Sequence, residues 1–153
     1  SEVSVDTRSV QDGACVERAE DVAGDARAEL LVVGRYAVPP LSVPASVAVP
    51  FTGFEGSYMP MGAASSRYFR SERAVRLERL EDARRTRDAD TISRLAVELG
   101  LLRFFEGEGV DSAIAALDAE SEGAHLDALA AGRDLIRALA EAPSGRASED
   151  ETE

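Results

Sequence analysis

The stretch Ala28 to Pro44, AELLVVGRYAVPPLSVP, contains the sharpest change of pattern in the chain. An apolar run ends at Gly34, and a proline-rich segment follows it. Gly34 suits the C-cap of a helix, and a helix cannot continue through Pro39 and Pro40 because proline lacks a backbone N–H. We therefore predict that a helix ends near Gly34 and that the chain leaves it as a stiff, extended segment.

Apolar residues recur at helical spacing upstream of this corner. They are Cys15, Ala19, Val22, Ala26, Leu30 and Val33. At 100° per residue they fall within an arc of about 80°, which is typical of an amphipathic helix. The pattern predicts a first helix over residues 10 to 34.

Residues 37 to 65 hold five of the six prolines and are predicted to be a long irregular loop. Val43 to Val49 is the one part that suits an extended segment. The loop ends in an apolar tip formed by Phe51, Phe54, Tyr58, Met59 and Met61. This tip either folds back onto its own core or packs on a neighbouring subunit.

Residues 66 to 88 are predicted to be a charged helix. Arginines stand at every third position, at Arg67, Arg70, Arg73, Arg76 and Arg79, so they spiral around the helix and form no single basic face. The segment carries a net charge of +3 in a chain whose net charge is −12. It is suited poorly to a single apolar core. It is either a solvated helix with ion pairs, or a basic element that meets an acidic surface on a partner or faces DNA in a channel.

The C-terminal part predicts further helices and an all-α class. DTISRLAVELGLLRFFEG begins at a capping Asp90, ends at Gly107 and is expected to be the most buried helix. A fourth helix starts near Asp111, a break near Gly132 leads to a short fifth, and residues 143–153 form a disordered acidic tail. We predict one domain over residues 1–142, with four or five helices, a long Pro/Gly-rich loop and the Arg-rich helix.

Composition excludes several classes of function. The chain has 29 acidic and 17 basic residues, all of the latter arginine, which argues against general binding of nucleic acid or anionic membranes. A GC-rich genome or a salt-rich host cytoplasm would each produce this composition. With Cys15 and His125 as the only cysteine and histidine, we predict no catalytic site, no cofactor and no metal. The N-terminus lacks the pattern of a signal peptide, and a soluble protein made inside a cell is expected.

The segment DVAGDARAELLVVGRYAVPPLSVPA (residues 21 to 45) resembles the Mu-type head–tail adaptor family of tailed viruses. In that family an alanine-rich helix runs into Gly-Arg-Tyr, Pro-Leu and Val-Pro. LAVELGLLRFFEG and LDALAAGRDL are similar to the family's later helices. The resemblance implies an adaptor-like fold and a virion protein, assembled in the host cytoplasm, that forms a ring of about twelve copies beneath the portal. Its partners would be other copies, the portal protein, the next tail-side connector and DNA passing without sequence-specific contact.

The resemblance also marks candidate contact residues. Residues 48 to 88 exceed the family's usual length, and we interpret them as an inserted loop and charged helix. The residues predicted to contact partners are Arg35, Tyr36, Pro39, Pro40, Phe51, Phe54, Tyr58, Arg67, Arg70, Arg73, Arg76 and Arg79. Two alternatives remain: a non-viral interaction or regulatory protein that binds an acidic partner through the Arg-rich helix, and another virion component such as a stopper or tail-completion protein.

Overall fold

The computed structural model describes residues 4–5, 15–20, 29–54, 57–60 and 65–141. Within them, five strands precede four helices. The strands are β1 (Ser4–Val5), β2 (Cys15–Glu20), β3 (Glu29–Tyr36), β4 (Ala45–Phe54) and β5 (Ser57–Pro60). The helices are α1 (Ser66–Arg85), α2 (Ala89–Glu106), α3 (Val110–Ala119) and α4 (Leu126–Glu141).

The strands form one sheet in the order β1-β5-β4-β3-β2. Strands β2 to β5 make an antiparallel meander, and β1 lies parallel to β5 at one edge. The connection from β3 to β4 turns at Val38 to Leu41, where the Leu41 N–H donates to the Val38 carbonyl and the Pro39–Pro40 peptide bond is cis. The predicted irregular loop therefore contains β4 and β5.

The predicted first helix is wrong, because residues 15–20 and 29–36 are strands. The run Leu31-Val32-Val33 is buried throughout. A strand covered on both faces reads as a continuous apolar run, and its spacing matches a helical stripe as well as a sheet. The β-branched valines in this run favour the strand.

Gly34 lies inside β3 and is not a helix C-cap. A Cβ at this position would meet the Tyr36 hydroxyl oxygen at 2.5 Å and the ring carbon Cζ at 2.9 Å. Residues two apart in a strand share a face, and the Tyr36 ring lies across the space that Gly34 leaves. Gly34 therefore lets Tyr36 fold down into the core, where it stacks on Phe105 with ring centroids 6.5 Å apart.

The core lies between the sheet and the helices, with α2 at its centre. Twelve of the eighteen residues of α2 are buried, and this helix contacts α1, α3, α4 and β4. One cluster joins β3 and β4 to α2, α3 and α4. A smaller cluster of Leu80, Ala83, Ile92, Leu95 and Leu99 joins α1 to the first half of α2. The prediction that this is the most buried helix is confirmed.

The predicted all-α class is correct only in part. The described structure is mostly helical, and the Arg-rich helix and the central helix lie close to their predicted positions. The sheet is not part of the prediction. The predicted break at Gly132 is wrong, because α4 runs through this residue; the helix instead breaks between residues 120 and 125. In the described part of the chain no helix has the length and apolar character needed to cross a bilayer.

Helix α2 begins two residues earlier than predicted. Asp88, and not Asp90, is the N-cap, and its carboxylate accepts from the Thr91 N–H at 3.2 Å and the Thr91 hydroxyl at 2.7 Å. The Thr91 hydroxyl and then the Thr91 N–H lower the pKa of Asp88 below its ordinary value. Gly107, with φ of 101°, ends the helix as predicted.

Removal of this cap gives a pH-dependent prediction. We expect Asp88→Ala to lower the melting temperature by a few degrees at neutral pH, because the Thr91 N–H loses its acceptor. Since the folded pKa is depressed, the contribution is complete above the unfolded pKa near 3.8 and is lost as pH falls through the lower, folded value. Thermal melts of wild type and variant should therefore converge in strong acid. Asp88→Asn is the control that keeps an acceptor, and equal melts for all three proteins at neutral pH would contradict the cap.

Candidate functional site

Helix α1 turns one side toward the protein and one toward solvent. Phe69, Arg76, Leu80 and Ala83 are its buried residues. At 100° per residue these four share an arc of about 60°. Phe69, Leu80 and Ala83 therefore give the Arg-rich helix an apolar inner side, and Arg76 stands within it. The helix was expected to suit a single apolar core poorly, yet this side packs into the core.

Arg76 joins α1 to α2 and to the sheet. Its Nε donates to Glu98 Oε1 at 2.9 Å, and its Nη2 donates to the backbone carbonyl of Ser46 in β4 at 3.0 Å. The other guanidinium nitrogen, Nη1, donates to Glu72 one turn earlier on α1, at 2.9 Å. Burial alone would lower the pKa of Arg76, but the charge of Glu98 and the hydrogen bonds to Glu72 and Glu98 outweigh it and raise that pKa.

Glu98 completes the arrangement from the α2 side. Its Oε2 accepts from the Ser46 N–H at 2.8 Å and from Arg94 at 3.3 Å. Both backbone groups of Ser46 are thus held by one ion pair, which we call the Arg76–Glu98 clamp. A buried ion pair is tolerated only where hydrogen bonds satisfy its remaining polar atoms. The clamp meets that condition.

The clamp and Tyr68 together cover the edge of β4. Strand β5 pairs with β4 only from Phe51 onward. Before that point, Ser46 bonds to the clamp and the Ala48 carbonyl accepts from the Tyr68 hydroxyl at 2.7 Å. An uncovered strand edge would leave polar backbone groups without partners. Side chains of α1 and α2 therefore supply here what a neighbouring strand supplies elsewhere.

Two further arginines of α1 bind acids elsewhere in the chain. Arg73 pairs with Glu106 near the end of α2, and Arg84 pairs with Glu120 after α3 at 3.3 Å. With Arg76 they make the inner set of arginines, each neutralised by an acid of the same chain. Arg73 and Arg76, predicted to contact a partner, thus stabilise the fold of their own chain.

The remaining predicted arginines of α1 form an outer set. Arg67, Arg70 and Arg79 are exposed, and none forms an ion pair with another residue in the described ranges. Beside Arg67 and Arg70 lies an open hollow of about 350 Å³, lined by Ser71, Ala74, Val75, Leu77, Glu78 and Glu81. We call this hollow, with Arg67 and Arg70, the outer face of α1. Val75 is 39% and Leu77 43% exposed.

The predicted contact residues of the first half divide into surface and core. Arg35, Pro39 and Pro40 are exposed, as a contact role requires. Tyr36 and Phe51 are core side chains and not surface anchors, because the sheet turns them toward the helices. Phe54 lies in β4 and Tyr58 in β5, but their side chains, Met61 and the tail 143–153 lie outside what is described.

A smaller hollow of about 70 Å³ lies where residues 41–43 meet Asp90, Thr91 and Arg94. Nearby, His125 Nε2 is 2.6 Å from Asp90 Oδ1. Both side chains are exposed. Among the described residues, no group of three or more His, Cys, Asp or Glu side chains is placed to hold a metal ion.

Sequence reasoning missed Glu98 and Glu106, although a signal was present. Both are acids in the helix with the most buried residues among the described helices, and an acid buried in such a helix requires a cationic partner. Arg73, Arg76 and Arg84 fall on the same side of α1 as its apolar residues. Matching these two anomalies would have predicted the contact between the helices.

Comparison with protein-family models, with curated proteins and with solved structures finds no match to this chain.

Proposed function

We propose that this chain is a non-catalytic assembly protein that binds another protein through the outer face of α1. The observation that carries the proposal is the division of the arginines on this helix. The inner set is neutralised within the chain, whereas Arg67 and Arg70 stand exposed beside an open hollow. Charges that the fold does not use, next to exposed apolar side chains, are typical of a surface that binds a partner.

The first turns of α1 strengthen this interpretation. The first turn contains no acid. The helix dipole is positive at this end, so acidic side chains are favoured there and cationic side chains are disfavoured. Arg67, in this first turn, therefore brings a local electrostatic cost. A residue choice that opposes local stability is expected where function requires it.

Site-specific photo-crosslinking in the producing cells tests the proposal. A photoreactive amino acid at Leu77, which lines the hollow and is exposed, should give a discrete crosslinked product whose second chain mass spectrometry identifies. The matched control is Ser112 on α3, which is also exposed. Equal products from both positions, or no product from Leu77, would reject the outer face as a binding surface.

The second candidate is the head–tail adaptor of a tailed virus, a ring that joins capsid to tail and surrounds passing DNA. The observation that favours it is a second exposed region at the corner between β3 and β4. Arg35, Pro39, Pro40 and Val43 are exposed there, on a different part of the fold from α1. A subunit of a ring must contact neighbours on two sides. A strongly acidic channel would also repel DNA and let it slide.

Native mass spectrometry in high salt, with the chain alone and with the portal protein encoded near it, tests the adaptor. A ring, or a complex of about twelve copies on the portal, is the expected result. If the chain does not bind the portal protein at any salt concentration, the adaptor proposal is rejected and the general assembly protein remains.

A further inference from the structure

The outer face of α1 is basic in its N-terminal half and acidic in its C-terminal half, so its charge order is complementary to its own reverse. Its N-terminal half carries Arg67 and Arg70, and its C-terminal half carries Glu78 and Glu81. All four are exposed. With Ala74 they lie within an arc of about 80° at 100° per residue, on the side away from the buried residues. They therefore form one strip along the solvent side of the helix. Arg85, the last residue of α1, lies on the same side beyond Glu81 and pairs with Asp82 of its own helix.

The charged positions of the strip are spaced symmetrically about Ala74, with opposite charges on the two sides. Arg70 and Glu78 stand four residues to either side of it, and Arg67 and Glu81 stand seven residues to either side. If two copies of α1 cross antiparallel with Ala74 at the two-fold axis, each arginine of one copy meets a glutamate of the other. That arrangement forms four ion pairs, whereas a parallel arrangement would place like charges together.

The shape of the surface suits this crossing. Ala74 and Ser71 are small, and they line the hollow at the middle of the helix. Small residues at a crossing point let two helices approach within about 8 Å. Leu77 lies on one flank of the strip and Val75 on the other, both more than a third exposed. Contact with a second copy would remove these apolar side chains from water.

We propose that the partner bound by the outer face of α1 is a second copy of this chain, in an antiparallel two-fold dimer centred on Ala74. The inference rests on the proposed function and names its partner. A two-fold contact uses the same surface on both copies, so that surface must be self-complementary. Charge complementarity of the strip with itself is the argument for a second copy over an unrelated partner.

The dimer is expected to be weak. Exposed ion pairs each contribute only about 0.2 to 1 kcal/mol, and the net charge of −12 on each copy opposes association. Salt acts on both effects, since it screens the ion pairs and also the repulsion between whole molecules. The test therefore compares variants at one fixed salt concentration.

Charge exchange across the dimer axis provides the experiment, with sedimentation equilibrium of the full chain as the measurement. One variant carries Arg67→Glu and Arg70→Glu, and the other carries Glu78→Arg and Glu81→Arg. Each alone places like charges across the axis and should dimerise about tenfold or more weakly than wild type. Mixed in equal amounts, the two variants should form a heterodimer, because one helix is then wholly acidic on its strip and the other wholly basic.

Matched controls separate the strip from net charge. Arg87→Glu with Arg137→Glu changes the net charge as the first variant does, and Glu122→Arg with Glu141→Arg changes it as the second does. All four control positions are exposed and lie outside α1. The control variants should show neither the loss of dimerisation nor its recovery on mixing. Circular dichroism should show that every variant is folded.

Three results would overturn the dimer. They are a monomeric wild type at every concentration, variants that associate as well as wild type, and a mixture that does not recover association. If crosslinking at Leu77 captures a different protein, the proposed function stands and the two-fold dimer does not. If Leu77 gives no product, the proposed function itself fails.

Discussion

Replacement of Glu98 by alanine is expected to lower the free energy of unfolding by about 3 kcal/mol, because Arg76 would be left buried with only the more exposed Glu72 as its counter-charge. The side chain of Glu98 is 3% and that of Arg76 10% exposed. The Ser46 N–H would also lose its acceptor. Chemical unfolding followed by circular dichroism, at one salt concentration for all variants, measures the change.

Two comparisons identify the cause of this loss. Arg94→Ala removes a more exposed partner of Glu98 and should cost less than about 1 kcal/mol. The double variant Arg76→Met with Glu98→Leu removes both charges and should recover part of the lost stability. It should not recover all of it, since both backbone groups of Ser46 would still lack partners. A loss below about 1 kcal/mol for Glu98→Ala would show that the clamp contributes little to stability.

The helices could be predicted from the sequence better than the sheet, because their signals are local. Local signals define α2, where a capping aspartate, a helical apolar pattern and Gly107 agree with one another. Strand β3 lacks such agreement, since its continuous apolar run fits a buried helix as well as a buried strand. Its partners lie elsewhere in the chain, and only pairing with β2 and β4 decides between the two structures.

Pro50 is one of the five prolines for which residues 37 to 65 were predicted to be an irregular loop, although it lies within β4. A proline inside an apolar run argues against a central strand because it cannot donate to a neighbouring strand. In β4, however, the backbone groups of Ser46 and the carbonyl of Ala48 point away from β3, toward α1 and α2. Pro50 has the same alternation, so its missing N–H would also have faced away from β3. The proline is tolerated because the pairing with β5 begins only at Phe51.

The candidate site was predicted in outline and misread in detail. The sequence singles out the arginines of α1, and their spacing predicts that they spiral around the helix without forming one basic face. Which arginine meets an acid depends on the packing of α1 against α2, and the sequence of α1 does not contain that information. The predicted partner contact consequently divides into contacts within the fold, made by Arg73 and Arg76, and a solvent-facing surface that includes Arg67 and Arg70.

Gly132 gives the second large prediction, because its missing side chain sets the distance between α4 and α2. A Cβ at this position would lie 2.6 Å from Val97 Cγ2 and 3.0 Å from Leu117 Cδ1. All three residues are buried. We expect Gly132→Val to lower the free energy of unfolding by about 2 to 3 kcal/mol, since α4 must move outward or its neighbours must leave their rotamers.

Ala130→Val is the matched control for Gly132→Val. Ala130 is exposed on the same helix, so valine there should cost only a few tenths of a kcal/mol through its lower helix propensity. Gly132→Ala distinguishes the two interpretations of this glycine. If Gly132 marked a break or a weak point of the helix, alanine would stabilise it by about 1 kcal/mol through propensity alone. Because the added Cβ meets Val97, we expect the clash to cancel or exceed that gain, and a clear stabilisation by Gly132→Ala would show that α4 has room to move at this contact.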